Sequence, residues 1–214
     1  MSLKIKVCGM RNRENILEAA ELKPDFMGFI FYRASPRFAT GFLDREITSN
    51  LPGSIKKTGV FVNADLLKIK DKVSKYSLDF VQLHGNETSD FCRLLTEEGI
   101  KVIKAFSINI NTSFESFSGF VPHTEYFLFD TSSSKYGGSG IKFDWRLLDK
   151  YHLAHPFFIS GGISEYDVKN ILEVGNPSFH GVDLNSRFEI KPGLKNIETL
   201  KKFITEIRFN SNAL

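Results

Sequence analysis

Eight short apolar runs, separated by longer stretches with helical spacing, constrain this chain more than any other feature. The runs are Ile5–Cys8, Phe26–Phe31, Thr58–Val62, Phe80–Leu83, Val102–Phe106, Tyr126–Asp130, Pro156–Ser160 and Phe179–Asp183. Strands alternating with helices imply βαβ units and a parallel sheet. Eight strands, each followed by a connecting segment, count out a closed (β/α)8 TIM barrel, here one domain over residues 1–214. The average unit is about 27 residues against roughly 31 in a typical barrel, so the connections must be short. Ser107 to Glu125, rich in Asn, Ser and Phe, predicts an irregular or abbreviated helix after strand five. A doubly wound open sheet is the alternative, but its glycine-rich turn belongs after the first strand, where Gly9 stands alone.

Start and stop signals mark the helices. Asn12 can cap the helix carrying Ile16, Leu17 and Ala20, and Asn63 precedes Leu66, Ile69, Val73 and Tyr76 at helical spacings. Asn86 opens a helix through Phe91 and Leu95 that Gly99 closes. Ser164 with Asp167 resembles a capping box before Val168, Ile171 and Leu172, and Gly175 ends that helix.

At this length roughly 70% of the chain's surface is buried on folding, so no disulfide or metal staple is required. Cys8 and Cys92 lie far apart and form no C-x-x-C motif, which argues against a zinc site and a disulfide framework. The net charge of +3 is modest, and the lysines interleave with acidic residues instead of forming the basic patch of a nucleic-acid binder. No signal-peptide region opens the chain, and no apolar run approaches the ~18 residues that span a bilayer. A soluble, cytoplasmic protein with no nucleic-acid or membrane partner is expected. The 21 phenylalanines read as core filling, scattered without a periodic stripe.

Barrels of this kind place catalytic groups at the C-terminal ends of strands and bind phosphate after strands seven and eight. Those ends supply Cys8, Gln82 with His84, Asp130, Ser160-Gly161-Gly162 and Asp183. Cys8 reads either as a small buried hydrophobe or as a thiolate base. Lys6 shares its side of the strand, where its ammonium would lower the thiol's pKa. Asp130 reads either as a turn cap or as a general acid whose apolar surround raises its pKa. Gly161 and Gly162 would offer backbone N–H groups to a phosphate. The run Tyr136–Gly140 is a plain connector or a cover that excludes water. His152 and His155 lack a third ligand, so no metal is expected. Neither a Ser-His-Asp arrangement nor a P-loop is present.

Several segments resemble phosphoribosylanthranilate isomerase: Lys6-Val7-Cys8-Gly9-Met10, Gly28 to Tyr32 with Ser35-Pro36-Arg37, Gly59 to Asn63, and Val81-Gln82-Leu83-His84-Gly85. Phe129-Asp130-Thr131, Tyr136 to Gly140, Phe143-Asp144-Trp145 and Ser160-Gly161-Gly162-Ile163 extend the match in order, to about Glu189. The resemblance implies a (β/α)8 barrel of tryptophan biosynthesis that needs no cofactor. It implies an Amadori rearrangement of N-(5-phosphoribosyl)anthranilate, a small phosphorylated substrate, to 1-(2-carboxyphenylamino)-1-deoxyribulose 5-phosphate. Cys8 then matches the general base, Asp130 the general acid, and Arg37 the arginine that holds the anthranilate carboxylate. Gln82 and His84 line the pocket, a structural role for His84 remaining open. Asp183 stands where the family approaches the substrate's amine, or else pairs with Lys6 or Lys104. Gly161, Gly162, Asn185 and Ser186 fall at the phosphate, although Asn185-Ser186-Arg187 replaces the family's Ser-Ser-Gly and puts that loop in doubt. Monomer and homodimer are both open.

Two other readings compete. A histidine-pathway aldose–ketose isomerase barrel resembles two fused half-barrels and carries aspartate where Cys8 stands, and no half-repeat is visible here. A catalytically dead phosphosugar-binding domain would not be expected to keep Cys8, Asp130 and Arg37 together.

Overall fold

The computed structural model describes residues 3–131 and 143–211. Within them eight parallel strands close into a barrel in sequence order: β1 (Lys4–Val7), β2 (Phe26–Ile30), β3 (Lys56–Phe61), β4 (Phe80–Leu83), β5 (Lys101–Ile108), β6 (Tyr126–Thr131), β7 (Phe157–Ile159) and β8 (Phe179–Leu184). Each apolar run of the sequence is one of these strands, with ends displaced by about two residues at most, the usual uncertainty of a strand boundary.

Helices α1 (Arg13–Glu21), α2 (Arg45–Asn50), α3 (Leu66–Tyr76), α4 (Ser89–Glu97), α5 (Val168–Leu172) and α6 (Ile197–Ser211) pack outside the barrel. Asn12 caps α1 by accepting from the Asn15 N–H, and the Ser164–Asp167 capping box is present ahead of α5. Asp65 caps α3, and Thr88, not Asn86, caps α4. The two asparagines serve the barrel rim instead: the Asn86 N–H donates to Asn63 Oδ1 at 2.8 Å, tying the loop after β3 to the loop after β4. Gly99 does follow α4 in the left-handed region, but α5 stops at Leu172 with Glu173 as its cap, short of Gly175.

No α-helix follows β5. A 3-10 segment, Phe114–His123, takes its place, and a second one, Trp145–Lys150, follows β6. Gly119 and Pro122 disfavour an α-helix in the first segment. A 3-10 helix has three residues per turn, so Phe114, Phe117 and Phe120 align on one face. That face packs on the barrel: Phe117 stacks on Phe106 with ring centroids 3.8 Å apart, and Phe114 meets Phe129 edge-on at 5.5 Å. These phenylalanines are therefore a periodic stripe after all, one that a search at helical or strand spacing passes over.

Strand alternation sorts the barrel interior into an apolar and a polar end. Phe26, Phe80, Ile103, Ala105, Leu128 and Phe158 form a small cluster separate from the larger one between sheet and helices. Their rings meet edge-to-face, Phe26 with Phe80 at 5.4 Å and with Phe158 at 5.3 Å. Above that plug the inward positions turn polar, and β1 meets β8 with Lys6 paired to Asp183. Lys6 Nζ lies 2.9 Å from Asp183 Oδ1, with 0% and 4% of the two side chains exposed. After β8 the chain adds a small hairpin, β9 (Glu189–Lys191) and β10 (Leu194–Lys195), turning at Pro192-Gly193.

Breaking a buried ion pair strands a charge, at a typical cost of about 3–5 kcal/mol, whereas replacing both partners by apolar groups is often neutral. Lys6→Met should therefore lower unfolding stability by about that amount in a urea titration, and Lys6→Met/Asp183→Leu should regain most of it. Equal loss in the single and double variants would show that the pair does not hold the seam.

Candidate active site

A cleft opens at the C-terminal ends of the strands. All ten residues singled out in the sequence line it: Cys8, Arg37, Gln82, His84, Asp130, Gly161, Gly162, Asp183, Asn185 and Ser186. Strand geometry explains the convergence, because each occupies an inward-facing position near the end of its strand or sits in the loop just beyond. The run Tyr136–Gly140 lies outside the described residues.

Cys8 directly follows β1, 3% exposed. Its sulfur fits because β2 carries Gly28 opposite; a Cβ there would stand 2.6 Å from Sγ. Burial pushes the Cys8 thiol up, and the positive charges of Lys6 and Lys195 do not reverse this. Lys6 does pull the thiol down as the strand pattern suggested, but burial outweighs it. Asp183 takes the Lys6 ammonium at 2.9 Å and adds its own negative charge beside the sulfur. Lys6 itself is buried, which opposes its charge, yet Asp183 and Cys8 hold its pKa above the usual lysine value. Asp183 therefore both lines the cleft and pairs with Lys6. Lys104 goes elsewhere, to a buried bridge with Glu87 at 3.1 Å.

Asp130, near the end of β6, is not in the apolar surround its strand suggested. Its Oδ1 accepts the Thr131 N–H at 2.9 Å, and its Oδ2 lies 3.2 Å from His84 Nε2. His84 Nδ1 in turn lies 3.0 Å from Gln82 Nε2. The tautomer of His84 sets which of its nitrogens donates in these two contacts. Gln82 Oε1 is buried with no hydrogen-bond partner among the described residues. Gly161 presses on the far side of the carboxyl: it has φ 88°, and a Cβ there would stand 2.6 Å from Asp130 Oδ1. Gly162 is also left-handed at φ 68°. Both line the cleft, and a turn of successive backbone N–H groups is the kind of nest suited to an anion.

Arg37 stands on the loop after β2, 7% exposed, and is not a free cation. Its Nε and Nη2 donate to Glu189 of β9 at 2.9 and 2.6 Å. Asn185 is likewise engaged: its side-chain oxygen accepts from Lys195 Nζ at 2.8 Å. Glu189 and Lys195 were missed in the sequence. The one signal near them was the Pro192-Gly193 dipeptide, a turn mark between two charged positions. Among the described residues no three His, Cys, Asp or Glu side chains cluster as a metal site, and no helix is long and apolar enough to cross a membrane.

The model of the N-(5'-phosphoribosyl)anthranilate isomerase family matches residues 5–206. A curated relative of that name from Parabacteroides distasonis is 46% identical over 204 residues, covering 95% of this chain and 92% of its own length. The crystal structure of phosphoribosyl anthranilate isomerase from Thermotoga maritima superposes with a TM-score of 0.84 at 34% identity, covering 99% of this chain and 100% of that one. A further structure, of the isomerase in complex with reduced 1-(o-carboxyphenylamino)-1-deoxyribulose 5-phosphate, is 32% identical with a TM-score of 0.81, over 99% and 100% of the two chains. With the barrel, the cleft and these likenesses in agreement, the chain belongs to the phosphoribosylanthranilate isomerase family.

Proposed function

We propose that Cys8 and Asp130 are the base and the acid of the reaction that this family catalyses, the Amadori rearrangement of N-(5-phosphoribosyl)anthranilate in tryptophan biosynthesis. The observation that carries the assignment is that a thiol on β1 and a carboxyl on β6 line one cleft, with Arg37 on its wall. Asp130, protonated, donates to the ribose ring oxygen, and the C1′–O bond breaks to leave a protonated Schiff base. Cys8, as thiolate, then takes the C2′ proton, and the electron pair moves to give an enolamine. Tautomerisation of the enolamine yields the ketone.

The reference values run against this division of labour. Free Asp and free Cys differ by about 4.6 units, so carrying the proton on the carboxyl and off the thiol costs roughly 6 kcal/mol. Burial of Cys8 adds to that gap. The reaction itself supplies the correction. Ring opening creates a cationic iminium beside the sulfur, and a nearby positive charge favours the thiolate at the step that needs it. The His84–Asp130 contact holds the carboxyl in the cleft.

The substrate's other groups follow from the site's donors. The Gly161–Gly162 nest with Ser186 takes the phosphate, while the Arg37 edge turned away from Glu189 takes the anthranilate carboxylate, a planar partner for a planar fork. Asn185 contributes to the phosphate loop through its backbone, since its side-chain oxygen faces Lys195. A cytoplasmic location, as monomer or homodimer, completes the reading.

General acid–base groups contribute typically 10²–10⁴-fold. Cys8→Ala and Asp130→Asn should each lower turnover by about that range, followed by the loss of anthranilate-substrate fluorescence. Near-normal turnover in either variant would remove that residue from its role. The thiolate absorbance lost between the parent chain and Cys8→Ala should ionise above about 8.5, the free-thiol value. Ionisation below it would contradict the burial argument.

A further inference from the structure

Behind Arg37 lies a buried charge cluster for which the reaction steps above have no use. Glu189 and Lys195 face each other across the β9–β10 hairpin, 2.9 Å from Oε1 to Nζ, with 3% and 0% of their side chains exposed. Glu189 Oε1 also accepts the Gly193 N–H at 3.0 Å, and both of its oxygens are engaged by Arg37. Asn15 of α1 pins the hairpin, accepting the Lys195 N–H at 2.7 Å and donating to its carbonyl at 3.0 Å.

We propose that Glu189 and Lys195 are positioning residues for the substrate's ring carboxylate: Glu189 holds the inner edge of the Arg37 fork, and Lys195 restores the positive charge that this pairing cancels. The inference rests on the assignment of Arg37 to that carboxylate. A guanidinium bound bidentately by a carboxylate is rigid but electrically neutral, a poor receptor for a second anion. Here one carboxylate is shared between two cations, so the cluster carries a net charge of +1. The other buried carboxylate nearby, Asp183, is taken by Lys6. A surplus buried charge is expensive unless an anion completes it. The cleft is where that anion would arrive, because Arg37 lines it and Nη1 makes no hydrogen bond among the described residues.

Burial pulls the Lys195 ammonium down to about 8, against the attraction of Glu189. The charged and titratable groups facing it are Glu189 from β9, Cys8 from the end of β1 and Arg37 from the loop after β2. As pH rises through about 8 the ammonium loses its proton, and the cluster falls from +1 to neutral.

The test compares two unreactive ligands, the product analogue with its ketone reduced and the same molecule without the ring carboxylate. Their affinity ratio isolates the carboxylate, and the carboxylate-free ligand reports whether a variant remains folded. In Lys195→Gln the ratio should shrink about tenfold, the scale of a unit charge roughly 10 Å away at an effective dielectric constant of about 20, with the carboxylate-free ligand binding as before. In the parent chain the ratio should shrink similarly between about pH 7 and about pH 9, which needs no variant if Lys195→Gln fails to fold. Arg37→Gln separates the two readings. A ratio that survives Arg37→Gln overturns the carboxylate assignment and this inference with it. A ratio lost in Arg37→Gln but unchanged in Lys195→Gln, or unchanged across that pH range, overturns the role of Lys195 alone.

Discussion

The rest of the molecule depends on the ion pair between Lys6 and Asp183. It joins residues 177 positions apart and fixes the register in which the first strand meets the last. Side chains alternate across a strand, so slipping β1 by one residue would turn Lys6 out of the barrel. The same slip would turn Cys8 outward, since it stands two positions further along. A structural contact therefore sets the aim of a reactive side chain. The cost is local: the Lys6 ammonium is shared between Asp183 and Cys8, and burial still leaves the thiol above its usual pKa.

Buried charge around the C-terminal end of the barrel is partitioned into separate groups. Lys6 with Asp183 closes the sheet, Lys104 with Glu87 anchors the loops after β3 and β4, and Lys195 with Glu189 and Arg37 forms the third. Glu87 also accepts the N–H groups of Asn63 and Gly85, which holds the segment bearing His84. Two of the groups are balanced pairs and one is not. The imbalance falls on the cleft wall, where an anionic ligand would sit. Below these groups the aromatic plug of Phe26, Phe80 and Phe158 fills the other end of the barrel, opposite the cleft.

Much of this was legible in the chain. The eight strands follow from local patterning, because a strand buried on both faces must be an apolar run whatever surrounds it. Strand ends then named the site, since barrel topology brings those ends together. Less legible were features whose period or partners are non-local. The Phe114, Phe117 and Phe120 stripe has the spacing of a helix type too rare to search for. Asn63 and Asn86 look like helix caps until the fold brings their two loops within hydrogen-bond distance.

Sequence by itself determined the barrel, the end at which the cleft opens, and the kinds of groups gathered there, because all three follow from patterning and chain order. Only the tertiary structure decided how those groups are charged and what each one holds. Lys6 serves Asp183 more than Cys8, Arg37 is already gripped by Glu189, and Asn185 faces Lys195. The physical reason is that electrostatic partnership depends on burial and on distances of a few ångströms. Neither is defined until segments remote in the chain have packed against one another.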